Sequence, residues 1–208
     1  MLKWIVPVLL LAIASGCASS LQANKGNQAL EKGDLDQAIL YYNEHLRRYP
    51  DDSAARNNLA VAFLRQKKYE EAFNELQKVI AQKPGDPSAH YNLALVYYYK
   101  RLFKEEIGEY RKTIELAPHH FGAHVNLGHA LLAAGDKRGA AEQYAWVVER
   151  TPQDRTIYYT LGMLRKELNE PAKARDMFRK YLELEPDGKF SREARQSLSE
   201  LEKDLPKP

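Results

Sequence analysis

The stretch that decides the fold is Leu127–Pro152, LGHALLAAGDKRGAAEQYAWVVERTP. It holds two apolar segments on either side of Gly135, and it closes on a proline. The closing proline recurs every 34 residues without an insertion, at Pro50, Pro84, Pro118, Pro152 and Pro186. A fixed period of this length is the signature of a repeat architecture, in which each unit is one supersecondary element.

Other positions keep the same period. Seventeen residues before each proline stand Gly33, Lys67, Arg101, Gly135 and Asn169; twelve before stand Ala38, Ala72, Glu106, Ala140 and Ala174; eight before stand Tyr42, Leu76, Tyr110, Tyr144 and Phe178. The first half of four units carries a leucine followed by a small residue, at Leu59–Ala60, Leu93–Ala94, Leu127–Gly128 and Leu161–Gly162. Each unit therefore splits into two helical stretches of roughly 12 to 14 residues, a length that is marginal for an isolated helix in water.

These columns resemble the tetratricopeptide repeat family, which has a leucine-glycine pair, an aromatic residue, a small alanine, a second aromatic residue and a terminal proline in 34 residues. The resemblance covers five units, at residues 19–52, 53–86, 87–120, 121–154 and 155–188. It implies an all-α fold: a right-handed superhelical solenoid of about five helix-turn-helix repeats. In residues 189–208, Ala194, Leu198 and Leu201 recur at helical spacing and predict a C-terminal capping helix followed by a short tail.

Two local expectations concern atypical residues. Glu106 occupies the column that holds alanine in the other units, and we expect its carboxylate to turn outward and pair with a nearby arginine such as Arg111, because charged side chains are seldom buried unpaired. Near the end of the array, Asn169-Glu170-Pro171 predicts that Asn169 caps a helix whose first turn contains Pro171.

The N-terminus has the layout of a secretory signal peptide, predicted at residues 1–16. A basic start is followed by the apolar run Trp4–Ala14, which is too short to span a bilayer. An uncleaved anchor helix is the alternative interpretation of this run.

The segment Ala14–Cys17, which ends in the chain's single cysteine, resembles the bacterial lipobox. The resemblance implies cleavage before Cys17 and covalent lipid on that residue, so residues 17–18 form a lipidated N-terminus. Because Ala18 stands where an aspartate would favour retention in the inner membrane, the same resemblance implies a lipid-anchored protein of the cell envelope, on the periplasmic face of the outer membrane. The competing interpretation is a secreted protein with one free thiol.

Signals of enzyme chemistry are missing. The chain has no glycine-rich phosphate loop, no paired-cysteine metal site and no nucleophile elbow. We therefore expect a non-enzyme that needs no cofactor beyond the lipid on Cys17. The net charge of +3, with no lysine or arginine block longer than three residues, also argues against nucleic-acid binding.

Histidines provide the only candidate for ligand chemistry. Four of the six lie between His119 and His129, and His120 and His124 are four residues apart, as zinc ligands on one helix face are. Because a metal site needs three or four converging ligands, a metal or small-ligand binder is kept as an alternative rather than as the main interpretation.

On the first helix of unit three, Leu93, Ala94 and Tyr97 form one stripe, at the positions that pack helices together in the family. A second stripe, Tyr91, Leu95, Tyr98 and Tyr99 in that unit, is not needed for packing within the pair. In the family that the sequence resembles, this stripe lines a concave groove, and tyrosine suits protein recognition because it gives a large amphipathic contact area. The predicted partner-binding residues are Asn57, Val61, Leu64, Arg65, Tyr91, Leu95, Tyr98, Tyr99, Val125, His129, Leu132, Tyr159 and Met163. One subclass of the family grips the C-terminal carboxylate of a peptide with lysine, asparagine and arginine side chains at fixed groove positions. The corresponding residues here include no cation, so this carboxylate clamp is not expected: Ala23, Asn27, Asn58, Ser88 and Asn92.

The expected function is therefore that of a membrane-tethered periplasmic scaffold or adaptor, which binds a protein or peptide partner of the cell envelope in its groove. A lipobox followed by regular repeats also resembles the pilotins that deliver type IV pilus secretins to the outer membrane. That assembly role is the first alternative, ahead of the metal or small-ligand binder.

Overall fold

The computed structural model describes residues 21–203, which consist of helices joined by short turns. The helices are α1 at residues 21–32, α2 Leu35–Arg48, α3 Ser53–Arg65, α4 Tyr69–Gln82, α5 Pro87–Lys100, α6 Phe103–Leu116, α7 Phe121–Ala133, α8 Lys137–Arg150, α9 Arg155–Glu167, α10 Pro171–Leu184 and α11 Ser191–Lys203. None of these helices is long and apolar enough to cross a membrane. The predicted signal peptide at residues 1–16 and the predicted lipidated Cys17 lie outside the described residues.

The chain divides into two compact units, one ending at Ala117 and one beginning at Pro118. In the first unit, α1 to α6 form three successive helix pairs; in the second, α7 to α10 form two pairs and α11 packs on α10. The predicted all-α repeat fold with a terminal capping helix is confirmed. The inner face of α11 buries Ala194 and Leu201, as its apolar spacing predicted, while Leu198 is half-buried.

The turn inside every repeat has one left-handed residue, at the column that the period had marked as the midpoint. The five residues and their φ angles are Gly33 (79°), Lys67 (62°), Arg101 (59°), Gly135 (83°) and Asn169 (58°). In each turn the next residue donates its backbone N–H to a carbonyl five residues earlier, for example Asp136 to Leu131 at 2.9 Å. This pattern is the Schellman ending of a helix. The expectation that Asn169 caps α10 is wrong: Asn169 adopts the left-handed conformation, and the N-cap residue is Glu170.

A large side chain on the second helix of each repeat lies against the backbone of the first helix. The five side chains at this place are at most 1% exposed: Tyr42, Leu76, Tyr110, Tyr144 and Phe178. A Cβ atom added to Gly128 would lie 2.5 Å from the Tyr144 ring, and one added to Gly162 would lie 2.9 Å from the Phe178 ring. The small residue of the leucine-small pair is therefore a steric requirement of the helix contact.

A polar bridge ties the start of a first helix to the turn that precedes it. In three repeats, one side chain reaches both the carbonyl oxygen of the preceding repeat's closing proline and a polar side chain on its own second helix. These bridges are Arg56 with Pro50 and Glu75, His90 with Pro84 and Glu109, and His124 with Pro118 and Gln143. The bridge gives a hydrogen-bond partner to the carbonyl of a proline that lies in the turn between two helices, outside both helical hydrogen-bond ladders.

Glu106 is buried, and the expectation that it turns outward to pair with Arg111 is wrong. Its side chain is 2% exposed, Oε2 has no hydrogen-bond partner, and Arg111 is exposed to solvent. The period explains this placement, because Glu106 falls on the inward face that Ala38 and Ala140 occupy in other repeats. Arg111, five positions later, lies on a different side of the same helix. Burial raises the pKa of Glu106 to about 7.

We expect Gly128→Ala to destabilise the protein, because the added methyl group would push against the buried Tyr144 ring. The expected loss is about 1–3 kcal/mol of unfolding free energy, the usual effect of overpacking, measured by urea denaturation. Gly108→Ala is the matched control: Gly108 is also helical but has open space around its Cα, so alanine there should raise stability by up to about 1 kcal/mol. Equal effects of the two substitutions would contradict the steric interpretation.

Glu106→Ala should stabilise the protein, and more so at pH 8 than at pH 5. The raised pKa of Glu106 means that the folded state keeps a proton that the unfolded chain has already released. The free energy of unfolding therefore falls as the pH rises from 4.5, the ordinary pKa, to about 7, the pKa in the folded protein. Removing the carboxyl should reduce this pH-dependent loss by about 2 kcal/mol, measured by urea denaturation at both pH values. Glu105→Ala, at the exposed neighbouring carboxylate, should leave the pH dependence as it is; a pH dependence unchanged in Glu106→Ala would refute the assignment.

Candidate protein-interaction surface

The second stripe in the first unit is formed by α3 and α5. On α3, Asn57 and Val61 are half-buried, Arg65 is exposed, and Leu64 lies in the core at 8% exposure. On α5, Tyr91 and Leu95 are half-buried, while Tyr98 and Tyr99 are 53% and 50% exposed. The side chains that offer most surface to a partner are therefore the two tyrosines at the end of α5.

The exposed tyrosines are held in a defined arrangement. The rings of Tyr98 and Tyr99 meet edge to face with centroids 5.1 Å apart, and Tyr99 stacks on Tyr69 of α4 at 4.9 Å. Tyr69 belongs to a different repeat from Tyr99, so the sequence stripe could not have identified it. Aromatic pairs of this geometry fix ring orientation, so less conformational freedom is lost when a partner binds.

Polar residues on and beside the stripe connect neighbouring repeats. Asn92 donates from Nδ2 to Oδ1 of Asn57 at 3.0 Å, and Asn58 donates to Oδ1 of Asn27 at 3.0 Å. Arg65 donates from Nη1 to the backbone oxygen of Leu30 at the end of α1, at 2.9 Å. These groups hold adjacent first helices together. Part of their hydrogen-bonding capacity is therefore used within the protein and is not free for a partner.

In the second unit the stripe is formed by α7 and α9. Val125, Leu132 and Met163 are half-buried, and His129 lies on the exposed side of α7. Tyr159 is half-buried because its ring stacks on Phe190, just before α11, with centroids 4.4 Å apart. The segment leading into the capping helix thus covers part of this surface, which the sequence pattern did not predict.

His129 has an internal partner on the second helix of its repeat. The Tyr144 hydroxyl lies 2.8 Å from Nδ1 of His129, and burial raises the pKa of Tyr144 to about 12. Desolvation lowers the pKa of His129, which favours the neutral ring. In the neutral ring one nitrogen donates and the other accepts, so the imidazole tautomer decides which partner donates in this hydrogen bond.

The neighbouring histidines also have structural partners. His120 caps α7 by accepting the N–H of Ala123 on Nδ1 at 3.1 Å. His124 forms the bridge to Pro118, and its ring stacks on Trp146 at 3.6 Å. Residues 21–203 contain no group of three or more His, Cys, Asp or Glu side chains that could hold a metal ion. The histidine-rich segment therefore gives no support to the metal-binding alternative.

The repeated helix pair, its left-handed turn and its closely packed large side chain define a helical-repeat scaffold. The tetratricopeptide repeat pattern matches residues 24–87 and 125–189, more than half of the chain, and the chain belongs to the tetratricopeptide repeat family. Repeats of this family mediate protein or peptide interaction, and this chain is such a scaffold.

Solved structures share the fold. The crystal structure of MamA is 22% identical and has a TM-score of 0.71, covering 82% of this chain and 93% of its own. MamA from Desulfovibrio magneticus RS-1 is 21% identical with a TM-score of 0.71, covering 82% and 97%. YrrB, described as a tetratricopeptide repeat protein with an unusual peptide-binding site, is 20% identical with a TM-score of 0.69, covering 84% and 90%. No curated protein matches the chain.

Proposed function

We propose that this protein is a non-enzymatic scaffold of the bacterial cell envelope, which holds a protein or peptide partner close to a membrane. The observation that carries the proposal is the pair of exposed tyrosines, Tyr98 and Tyr99, on the stripe that faces away from the helix-pair core. Tyrosine is one of the residue types that most often contribute the largest share of the binding free energy at protein interfaces. The likeness in fold to YrrB, whose description names a peptide-binding site, supports the same function.

The proposed membrane attachment rests on the N-terminal sequence. Cys17 is the only cysteine, and it follows an apolar run and two small residues as the lipidated cysteine of a lipobox does. One acyl chain anchors a protein only marginally, so the several chains of a lipoprotein are needed for stable attachment. Residue 21 already belongs to α1, and four residues of chain extend at most ~14 Å at ~3.5 Å each, so the repeats would lie near the lipid surface.

Replacing both Tyr98 and Tyr99 by alanine should abolish capture of a partner while leaving the fold intact. Exposed substitutions usually change stability by no more than about 0.5 kcal/mol, so circular dichroism and the urea midpoint should hardly move. The measurement is a pull-down of tagged full-length protein from an envelope extract of the source organism, with mass spectrometry. Leu40→Ala, at an exposed apolar residue of α2, is the matched control and should keep the partner. Equal capture by the double variant would refute the role of the stripe.

Cys17→Ser should convert a membrane-bound protein into a soluble one. Without the thiol no lipid can be attached, so we expect loss of the acyl mass increment and release from the membrane fraction, measured by mass spectrometry and cell fractionation. Ser19→Ala, two residues away, should leave both unchanged. If the Cys17→Ser protein keeps the same mass increment and stays with the membrane, attachment through Cys17 is wrong.

A further inference from the structure

The turn between α5 and α6 forms a small pocket at the edge of the first unit. Its lining residues are Tyr98, Tyr99, Arg101 and Phe103, and its volume is about 180 Å³. We call these four residues the aromatic corner. Arg101 and Phe103 lie beyond the predicted stripe, one in the left-handed turn and one at the start of α6, so the corner extends the interaction surface to the edge of the repeat.

The aromatic corner is an exposed apolar surface. Phe103 is 44% exposed, and the adjoining Leu102 is 37% exposed. Together with the two tyrosines they account for four of the seven large hydrophobic side chains that are exposed in residues 21–203. Clustering of exposed apolar groups, in contrast to their scattered occurrence, marks a contact site for another molecule.

The pocket is the right size for one side chain of a partner. Pockets that enclose small-molecule ligands have volumes of roughly 300–1,000 Å³, well above that of the aromatic corner. The Tyr99 ring is stacked on Tyr69, and Arg101 is held by the Schellman turn, in which Leu102 donates its N–H to the carbonyl of Tyr97 at 2.9 Å. These contacts hold the Tyr99 ring and the backbone at Arg101 in place, so part of the pocket wall is ordered before an apolar side chain enters.

Charged residues near the aromatic corner in the sequence are predominantly basic. Segments 65–71 and 98–105, which carry the corner and the stacked Tyr69, contain six basic and three acidic residues. Lys100 is paired with Glu70 at 2.7 Å, whereas Lys68 and Lys104, adjacent to Tyr69 and Phe103, form no ion pair within the described part of the chain. Arg101, on the pocket wall, is likewise without an ion-pair partner among those residues. A partner with carboxylates beside its apolar side chain would complement this charge.

We propose that the aromatic corner binds an acidic protein segment that carries one large apolar side chain. The apolar side chain enters the pocket between Tyr98, Tyr99 and Phe103, and flanking carboxylates pair with Arg101, Lys68 and Lys104. This proposal rests on the proposed scaffold function and specifies its partner. An anionic membrane surface would match the charge as well, but the concave pocket with fixed rings fits a single side chain better than it fits a lipid layer, which calls for protruding apolar groups.

The test uses defined peptides and full-length protein in detergent. Fluorescein-labelled Gly-Asp-Glu-Phe-Asp-Glu-Gly should bind roughly tenfold more tightly than the same peptide with alanine for phenylalanine, because one buried aromatic side chain contributes at least that factor. A version with lysine at the four acidic positions should bind at least roughly tenfold more weakly. Added salt should weaken the binding of the acidic peptide, because it screens the attraction between opposite charges. The readout is fluorescence anisotropy at 50 and 500 mM NaCl.

Matched variants locate the binding. Arg101→Glu and Phe103→Ala should each weaken the acidic phenylalanine peptide roughly fivefold or more, on the scale of a substituted interface residue. Arg138→Glu and Phe121→Ala are the controls: Arg138 is an exposed arginine, and Phe121 is a 38% exposed phenylalanine that begins a helix as Phe103 does. The control variants should bind as the unchanged protein does, and circular dichroism should verify that all four variants are helical.

The outcomes separate this proposal from the scaffold function. Equal binding of the acidic and lysine peptides, or unchanged binding by Arg101→Glu and Phe103→Ala, would overturn the proposal. Binding to phosphatidylglycerol vesicles that Arg101→Glu abolishes, without any peptide preference, would overturn it in favour of a lipid surface. If the pull-down partner is retained by both corner variants but lost with Tyr98→Ala and Tyr99→Ala, the scaffold function stands and the corner proposal fails; if the unchanged protein captures no partner, the scaffold function itself fails.

Discussion

The contact between one large side chain on each second helix and the backbone of the first helix is the constraint on which every repeat depends. At Gly128 and Gly162 the aromatic ring lies so near that even a methyl group would collide with it. Because helices of 13 or 14 residues are barely stable alone, both helices of a pair depend on packing contacts of this kind for their stability. It also fixes which face of the first helix is buried within the pair, and so leaves the second stripe to meet neighbouring repeats or a partner.

The same constraint explains the one repeat that breaks the pattern. Glu106 lies on the inward face of its helix because the period places it there, and its carboxylate is buried without a full set of hydrogen bonds. A buried ionised carboxylate is costly, which is why its pKa rises. In a repeat array stability is approximately a sum over units and their interfaces, so one unfavourable repeat can be tolerated where its neighbours are well packed.

The sequence predicted most of the residues that form the second stripe, but it did not predict which residues from other parts of the chain contact them. Helical spacing put Tyr98 and Tyr99 on a stripe away from the pair contact, and both are half exposed. The same spacing included Leu64, which is buried in the core, because a stripe identifies a direction and does not show what lies opposite. Tyr69 joins the tyrosines from another repeat, and Phe190 covers Tyr159 from the segment before α11. Neither contact has a signal in the local sequence.

The amino-acid sequence by itself determined the number of repeats, the place of each turn and the column of closely packed residues. These features follow from a 34-residue period and from local backbone preferences, and both are properties of neighbouring positions along the chain. The tertiary structure alone decided that the Glu106 carboxylate stays buried with Oε2 unpaired, that Lys67 and Arg101 adopt the left-handed conformation of a glycine, and that Arg101 and Phe103 complete a pocket with Tyr98 and Tyr99. The physical reason is that the helix contact imposes one geometry on every repeat, whatever residue stands at a given place, and that geometry sets which side chains meet.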